Sequence, residues 1–271
     1  MNEVEIEIFK YFLSNIQLLK SKSIYEYCLL DPFFINCNQS AIKTIENICI
    51  NHFSHSFKTK LGGLYEIIIL NHIKTKGWLC EKPIENGTKL DLYLDLKKPL
   101  TFKYNNKIWK IPKKYKTAHI ELKSKDNIFN QDSGTNNKFK RTQIEQDKTN
   151  VTILLFLSLI NKPNLKISSN RYTFKGFNAW EFLGFSEKEL NILLNQYQKI
   201  YDYFSNILTD ITKEKIDQAI EFYKQNDIIQ NDKIQIDNLI KLLKIKKKTK
   251  IKLNNFNIEK EIEKYKISLS N

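Results

Sequence analysis

The sequence predicts an α/β fold in which a central mixed β-sheet is flanked by helices, with helical N-terminal and C-terminal regions. Apolar residues recur at helical spacing up to Gly77, and residues 88–96 then alternate between apolar and polar. Residues 151–159 form an almost continuous apolar run. Alternation is typical of a half-buried strand, and a short apolar run is typical of a strand buried on both faces. Helical spacing returns after Pro163, so we expect the strands in the middle of the chain.

The individual elements follow from periodicity and from the residues that begin and end them. Ser40 offers an N-cap oxygen to a helix, and Gly77 is a residue type that commonly follows one. Asn105 and Asn106 separate two short apolar runs, which predicts a β-hairpin. The predicted helices cover 4–19, 41–53, 63–76, 138–147, 187–208, 213–225, 234–243 and 258–267. The predicted strands cover 79–84, 88–96, the hairpin 102–111, 117–124 and 151–159.

This order of elements predicts three regions. Residues 1–60 are expected to form a helical N-terminal region, and residues 61–185 a core that contains the strands. Residues 186–271 are expected to form a helical, lysine-rich C-terminal region.

The charge balance favours a polyanionic partner. The 271 residues include 44 Lys and Arg against 30 Asp and Glu, a formal charge of +14. A surplus of this size favours nucleic acid or an anionic membrane surface. The sequence has no apolar stretch long enough to span a membrane and no signal-peptide pattern, so we expect a cytoplasmic protein that binds nucleic acid. Only two of the basic residues are arginine, a bias typical of an AT-rich coding genome, which weakens the charge as evidence.

The segment 118–125 carries the most informative pattern. Its residues are Ala-His-Ile-Glu-Leu-Lys-Ser-Lys, which as a strand places Glu121 and Lys123 on one face. Asp91, thirty residues earlier, lies on the polar face of the alternating segment. Two neighbouring strands would bring the two carboxylates and the lysine together. Carboxylates are preferred ligands of Mg²⁺, and a neighbouring lysine can orient or deprotonate water, so this grouping suits phosphodiester hydrolysis.

These residues, in this order, resemble the PD-(D/E)xK nuclease superfamily, many of whose bacterial members are type II restriction endonucleases. The resemblance covers residues 61–159 and is carried by Glu66, Gly77-Trp78, Gly87, Asp91 and Glu121-Leu122-Lys123. It implies a restriction-endonuclease-like core in which Asp91 and Glu121 bind Mg²⁺ and Lys123 serves the attacking water. It also implies that Glu66 supports the metal or its waters, and that Gln143 or Gln146 lies near the site.

The pattern departs from the family in two places. Leu90 precedes Asp91 where the family name has proline, and the separation of Asp91 from Glu121 requires the hairpin 102–111 as an insertion. Asp95 shares the face of Asp91 and is nearer to Glu121 along the chain, so it is an alternative metal ligand.

Other readings of the same residues stay open. A Glu-x-Lys tripeptide also occurs on exposed strand edges, where charge favours solubility. Glu66 could mark only the solvated face of its helix. The stretch 174–184 is similar to stretches that close the core of several restriction endonucleases, and its Trp180 and Phe182 are predicted to pack internally.

The resemblance implies a type II restriction endonuclease that hydrolyses double-stranded DNA with Mg²⁺ and leaves 5′-phosphate ends. It further implies a homodimer and a cognate DNA methyltransferase in the same system. A lysine tract at 244–252 could contact phosphates. The alternatives are a structure-specific nuclease, of the resolvase or transposon end-cutting type, and a DNA-binding module without catalysis. The candidate DNA contacts are Lys125, Lys138, Lys140, Arg141 and Gln143.

Overall fold

The structure is a computed structural model that describes residues 1–21, 40–81, 90–97, 100–104, 107–123, 135–159, 164–243 and 257–270. The described chain divides into two compact units. One unit combines Met1–Leu61 with Gln196–Asn271, and the other is Gly62–Asn195. The second unit holds the main sheet and the residues predicted to carry chemistry.

The described elements confirm an α/β fold with a mixed sheet flanked by helices. The helices are α1 (Glu3–Ser21), α2 (Ala41–Thr75), α3 (Thr135–Gln146), α4 (Phe177–Phe182), α5 (Glu187–Gln225), α6 (Ile236–Leu243) and α7 (Ile258–Ser268). The strands are β1 (Cys80–Glu81), β2 (Leu92–Asp95), β3 (Thr101–Tyr104), β4 (Lys107–Lys110), β5 (Thr117–Lys123), β6 (Asn150–Phe156), β7 (Asn164–Ser168), β8 (Arg171–Lys175), β9 (Ile229–Gln230) and β10 (Lys233–Ile234).

The main sheet has six strands in the order β1-β2-β5-β6-β8-β7. β5 runs parallel to β6, and β6 runs parallel to β8, whereas the remaining pairs are antiparallel. The apolar run of β6 is buried throughout, as predicted for a strand covered on both faces. β5 lies between β2 and β6, so it is an interior strand of the sheet.

The interior position of β5 decides against one alternative reading, that of a charge on an exposed strand edge. The face of β5 that alternation predicts to be polar is buried, with His119 6% exposed and Glu121 fully buried. Glu121 is therefore not a solubilising charge on a strand edge. Alternation identifies which residues share a face, but it cannot show whether another element covers that face.

Two of the helices are much longer than predicted, whereas the helix predicted at 234–243 begins two residues later, at Ile236. The segments 41–53 and 63–76 belong to one helix, α2, and the segments 187–208 and 213–225 belong to one helix, α5. Gly62 and Gly63 lie inside α2, because a glycine costs only about 1 kcal/mol in a helix interior and does not end it. Gly77 follows the end of α2 with a φ of 76°, the left-handed conformation that closes many helices.

The region after Pro163 was predicted to be mostly helical, and it begins with the unpredicted hairpin β7–β8. Tyr172 and Phe174 alternate with polar residues in β8 and are buried, so β8 extends the sheet next to β6. A helix follows directly, and its Trp180 donates an indole hydrogen bond of 2.9 Å to the carbonyl of Leu157. Trp180 and Phe182 are 3% and 1% exposed, which confirms their predicted packing role.

The predicted hairpin at 102–111 is present as β3 and β4, which form a separate two-stranded sheet. Tyr104 pairs with Lys107 across a two-residue turn; the turn residues, Asn105 and Asn106, lie outside the described residues. Phe102 is buried, with its ring centroid 5.1 Å from that of Phe174 and 5.5 Å from that of Phe182. The hairpin is therefore anchored on the core of its unit by one aromatic side chain.

The other unit is helical and has an aromatic core. The ring of Phe9 lies 4.9 Å from that of Phe204 and 5.2 Å from that of Tyr265, so α1 packs against both α5 and α7. The predicted N-terminal and C-terminal helical regions thus contribute to one unit. Within the described ranges, no helix has the length and apolar character that crossing a membrane requires.

Candidate active site

Asp91 and Glu121 lie side by side because β2 pairs with β5. Leu92 is opposite Ile120 in the antiparallel register, so Asp91, one residue before β2, comes beside the Glu121 end of β5. The backbone N–H of Leu122 donates a hydrogen bond of 2.7 Å to Asp91 Oδ2. This bond holds the Asp91 carboxylate against the strand that carries Glu121 and Lys123.

Asp95, the alternative ligand, lies at the other end of the same strand. It pairs with Thr117, four residues from Glu121 and therefore about 13 Å away along the strand. Its carboxylate accepts a bond from the Lys97 N–H at 3.1 Å and lies 3.3 Å from Lys97 Nζ. The register therefore places Asp91, and not Asp95, next to Glu121.

Glu121 is a fully buried carboxylate between two cations. Lys123 Nζ lies 2.9 Å from Oε1, and Arg141 Nη1 lies 3.0 Å from Oε2. Among the residues that the structure describes, neither oxygen has a partner with normal hydrogen-bond geometry. The two cations compensate the charge that burial would otherwise make very unfavourable, and both oxygens keep lone pairs that a further ligand could use.

Lys123 is the more accessible of the two cations. It lies two residues after Glu121 on the same face of β5, near the end of the strand. Its side chain is 19% exposed, compared with 6% for that of Arg141. Lys123 can therefore meet a ligand that approaches from solvent, whereas Arg141 is enclosed.

The Asp91 carboxylate lies in an unfavourable environment for a negative charge. Burial is the main cause that raises its pKa to about 6, and the negative charges of Glu66 and Glu121 raise it further. The Leu122 hydrogen bond and the charge of Lys123 act in the opposite direction. Glu66 on α2 is half-buried and close enough to act on Asp91, so the predicted set Glu66, Asp91, Glu121 and Lys123 is brought together in one unit.

Arg141 was predicted to contact DNA, which requires a position on the surface. The structure places it in the interior instead. It is 5% exposed and projects from α3 onto Glu121. The sequence signal for this role is the rarity of arginine: the chain has only two arginines, and in the structure both pair with carboxylates. Arg171 contacts Glu145 through two bonds, of 2.7 and 2.6 Å. A planar guanidinium suits such pairing better than an ammonium group, so arginines retained in a lysine-rich chain indicate structural ion pairs.

The remaining candidate contacts are only partly described. Gln143 and Gln146 are exposed on α3. The side chains of Lys138 and Lys140 lie outside the described residues, although their helix is described. Lys125, Gly87 and the lysine tract 244–252 also lie outside the described residues.

The buried carboxylates fit a hard divalent cation. Among the described residues, the two Glu121 oxygens have no hydrogen-bond partner. Burial raises the pKa of Asp91, and the charges of Glu66 and Glu121 raise it further, so a bound cation would favour the ionised carboxylate. No group of three or more His, Cys, Asp or Glu side chains suited to a metal occurs within the described ranges. Mg²⁺ does not require such a group, because it retains several waters and takes one or two carboxylates from the protein.

Arg141→Met should lower the free energy of unfolding by about 3 kcal/mol, because it removes one partner of a buried charge. The double variant Arg141→Met/Glu121→Gln should recover most of this loss, since no carboxylate is then left to compensate. Urea unfolding in EDTA measures both effects. Arg171→Met, which breaks the more exposed ion pair, should cost less than about 1 kcal/mol and serves as the control. If the losses in free energy of unfolding from the two single substitutions simply add in the double variant, the pairing of Arg141 with Glu121 is contradicted.

Two comparisons with known proteins find no relative of this chain. Neither a scan against models of protein families nor a search of curated proteins finds a match to this chain. The family resemblance therefore rests on the residues and their arrangement alone.

Proposed function

We propose that this chain is a Mg²⁺-dependent endonuclease that cuts double-stranded DNA at specific sites and leaves 5′-phosphate ends, as type II restriction endonucleases do. The observation that carries the proposal is the pairing of Asp91 with a fully buried Glu121 on adjacent strands, with Lys123 Nζ 2.9 Å from the second carboxylate. A fully buried glutamate beside a partly buried aspartate and a lysine that is 19% exposed has no evident use in packing, and perturbed groups of this kind concentrate at functional sites.

The order of the elements supports a PD-(D/E)xK relationship. Glu66 lies on α2, the antiparallel pair β1–β2 follows with Asp91 immediately before its second strand, and β5 then carries Glu121 and Lys123. This is the order that the resemblance implies: a helix with a glutamate, a hairpin with the aspartate and a strand with the Glu-x-Lys. We therefore propose a restriction-endonuclease-like core.

In this proposal Asp91 and Glu121 hold Mg²⁺, and Glu66 supports it or its waters. Bound Mg²⁺ would neutralise charge that develops on the phosphate and make a coordinated water more acidic. Lys123 orients the attacking water or accepts its proton. The oxygen of that water forms the new bond to phosphorus and the bond from phosphorus to O3′ breaks, which leaves a 5′-phosphate and, after protonation, a 3′-hydroxyl.

The wider setting belongs to the same proposal. Cutting both strands of a palindromic site is most simply achieved by two active sites related by a two-fold axis, so we propose a homodimer. A restriction system in the cytoplasm would also need a cognate DNA methyltransferase that protects the host sites.

The test is a digest of long unmethylated phage DNA by the purified protein, with Mg²⁺ and with EDTA. Asp91→Asn is the matched variant, because the amide keeps an oxygen for the Leu122 hydrogen bond while it removes the carboxylate. We expect discrete bands with wild-type protein and Mg²⁺, and intact DNA with EDTA or with Asp91→Asn.

The other outcomes separate the alternatives. A smear that depends on Mg²⁺ would favour a repair-type or structure-specific nuclease, which defined junction and linear substrates would then distinguish. DNA that stays intact in every lane but is retarded on a gel would favour a binding module without catalysis. Cutting that persists in Asp91→Asn would exclude this site as the catalytic centre.

A further inference from the structure

We propose that the hairpin β3–β4, with the turn that follows it, is a DNA-contacting ribbon that enters the major groove beside the candidate active site. We call the described residues of this segment, 100–104 and 107–116, the basic hairpin. The inference rests on the proposed function, because it names the surface that holds the DNA for that site. The observations that carry it are its charge, its exposed apolar side chains and its attachment to the strands of the site.

The basic hairpin lies in a stretch of unbalanced positive charge. Residues 97–120 contain eight lysines and no aspartate or glutamate. Lys107, Lys110, Lys113 and Lys114 are all exposed, and none of the four forms an ion pair with a described residue. A local surplus of positive charge without counter-charges favours binding to the phosphates of a nucleic acid over binding to a protein surface of mixed charge.

Apolar side chains lie exposed between these lysines. Ile108 is 78% exposed and Trp109 is 38% exposed, although each is flanked by a lysine. In the hairpin register Ile108 pairs with Lys103, and Thr101 pairs with Lys110, so these four positions share one face. The opposite face carries Lys107, Trp109 and Phe102, of which Phe102 is buried against the core. One face is thus an anchor, and the other presents isoleucine and lysine to solvent.

The shape of the basic hairpin matches a groove of DNA. A two-stranded β-ribbon is one of the elements that the major groove of B-DNA can accommodate. Lysines at the edges of such a ribbon meet the phosphates of the two strands, while an apolar side chain such as Ile108 contacts base edges, including the thymine methyl group. A protein partner would instead have to supply carboxylates for the lysines, and we would expect the hairpin to present a larger apolar surface to it.

The attachment of the basic hairpin suits DNA that also reaches the site. The segment leaves β2 after Asp95 and rejoins the sheet at Thr117, so its base lies about 13 Å along the strand from Glu121. That distance is less than half of one helical turn of DNA, which is about 34 Å. One duplex can therefore contact both places.

The test measures binding to duplex DNA by fluorescence anisotropy, in EDTA and in the Asp91→Asn background, so that no cutting interferes. The variants are Lys107→Ala/Lys110→Ala and, separately, Ile108→Ser. The control is Lys188→Ala/Lys224→Ala, which removes two exposed lysines of α5 and changes the net charge equally. Each protein is titrated at several salt concentrations between 50 and 300 mM.

We expect the double lysine variant of the basic hairpin to bind about 10- to 60-fold more weakly at 0.1 M salt. The slope of log affinity against log salt should fall in magnitude by about 1 to 2, since each lost phosphate contact removes about 0.9. Ile108→Ser should weaken binding without changing the slope. The control should show neither change.

Two results would overturn the inference. Binding and salt slope equal to those of the control would show that the lysines only protect a strand edge, and aggregation of the variant would agree with that role. This result would not contradict the proposed endonuclease activity. If the Asp91→Asn protein with an unchanged hairpin does not bind duplex DNA at all, the inference fails together with the proposed function.

Discussion

Lys123→Met should lower the rate of DNA cleavage by about 100- to 10,000-fold, while DNA affinity changes by less than about tenfold. The magnitude is that of a group that assists proton transfer or orients the nucleophile. The Lys123 ammonium lies 2.9 Å from Glu121 and its side chain is partly accessible, so it is placed to meet a water held at the carboxylates. Single-turnover cleavage in Mg²⁺ and anisotropy in EDTA measure the two quantities separately.

Lys123→Arg resolves how the lysine acts. An arginine keeps the positive charge and can still pair with Glu121, but it does not lose its proton in proteins. Recovery of most of the activity in Lys123→Arg would indicate that the cation orients water, and a loss as large as that of Lys123→Met would indicate proton transfer. Lys188→Met, an exposed lysine of the same unit, is the control. Cleavage at the normal rate by folded Lys123→Met would contradict the assignment.

Asp91→Asn should stabilise the metal-free protein at neutral and alkaline pH. Burial raises the pKa of Asp91 from about 3.8 in the unfolded chain to about 6 in the folded protein. A raised pKa means that the folded state prefers the protonated form, so the contribution of Asp91 to stability is present below pH 4 and is lost as the pH rises through 6. Asparagine is neutral at every pH and avoids this loss.

The expected gain follows from the size of the shift. In EDTA the free energy of unfolding of Asp91→Asn should exceed that of wild-type protein by up to about 3 kcal/mol at pH 8, and by about half of that at pH 5. If Mg²⁺ binds the folded wild-type carboxylates and not the unfolded chain, as the proposed function requires, it should reduce the difference. Urea unfolding at the two pH values, with and without Mg²⁺, measures all of these effects.

Asp95→Asn is the matched control for this prediction. Asp95 lies on the same strand, but its carboxylate is half-exposed and contacts Lys97, so its replacement should not stabilise the protein. Equal stability of Asp91→Asn and wild-type protein at pH 8 would show that the Asp91 carboxylate is not strained in the folded state. A site that gains stability when a carboxylate is removed is typical of a site maintained for binding or catalysis.

Much of the architecture could be predicted because it depends on local spacing. The alternation at 88–96, the turn residues of the hairpin 102–111 and the apolar run at 151–159 each correspond to a strand or hairpin in the structure. The helix ends were harder to predict. Gly62 and Gly63 do not interrupt α2, whereas Gly77 follows its end, because only a glycine in the left-handed conformation redirects the chain. Residue type alone does not reveal that conformation.

The strands after Pro163 show a second reason for missed elements. Residues 164–175 contain two alternating runs, with Leu165 and Ile167 in the first and Tyr172 and Phe174 in the second, but each run is short. The position of β8 next to β6 and the burial of Tyr172 and Phe174 add to its stability. Such pairing involves residues far apart in sequence. Strand propensity depends strongly on this context, so a short strand beside a central one is difficult to recognise from sequence.

For the candidate site, the sequence by itself determined which side chains could cooperate. The two-residue spacing of Glu121 and Lys123 places them on one face of any strand, and the position of Asp91 in an alternating segment places it on a polar face. These are consequences of backbone geometry, so they hold for whichever sheet the strands enter.

The tertiary structure decided what those side chains experience. The register of β2 against β5 selects Asp91 over Asp95, since a shift along the strand moves a carboxylate by several ångströms. The placement of β5 between β2 and β6, with Arg141 reaching it from α3, makes Glu121 a buried, paired charge. Register, burial and ion pairing arise from contacts between segments distant in sequence, and the free energy of a charge depends on all of its neighbours at once. That dependence is why a local pattern could identify the carboxylates but not their environment.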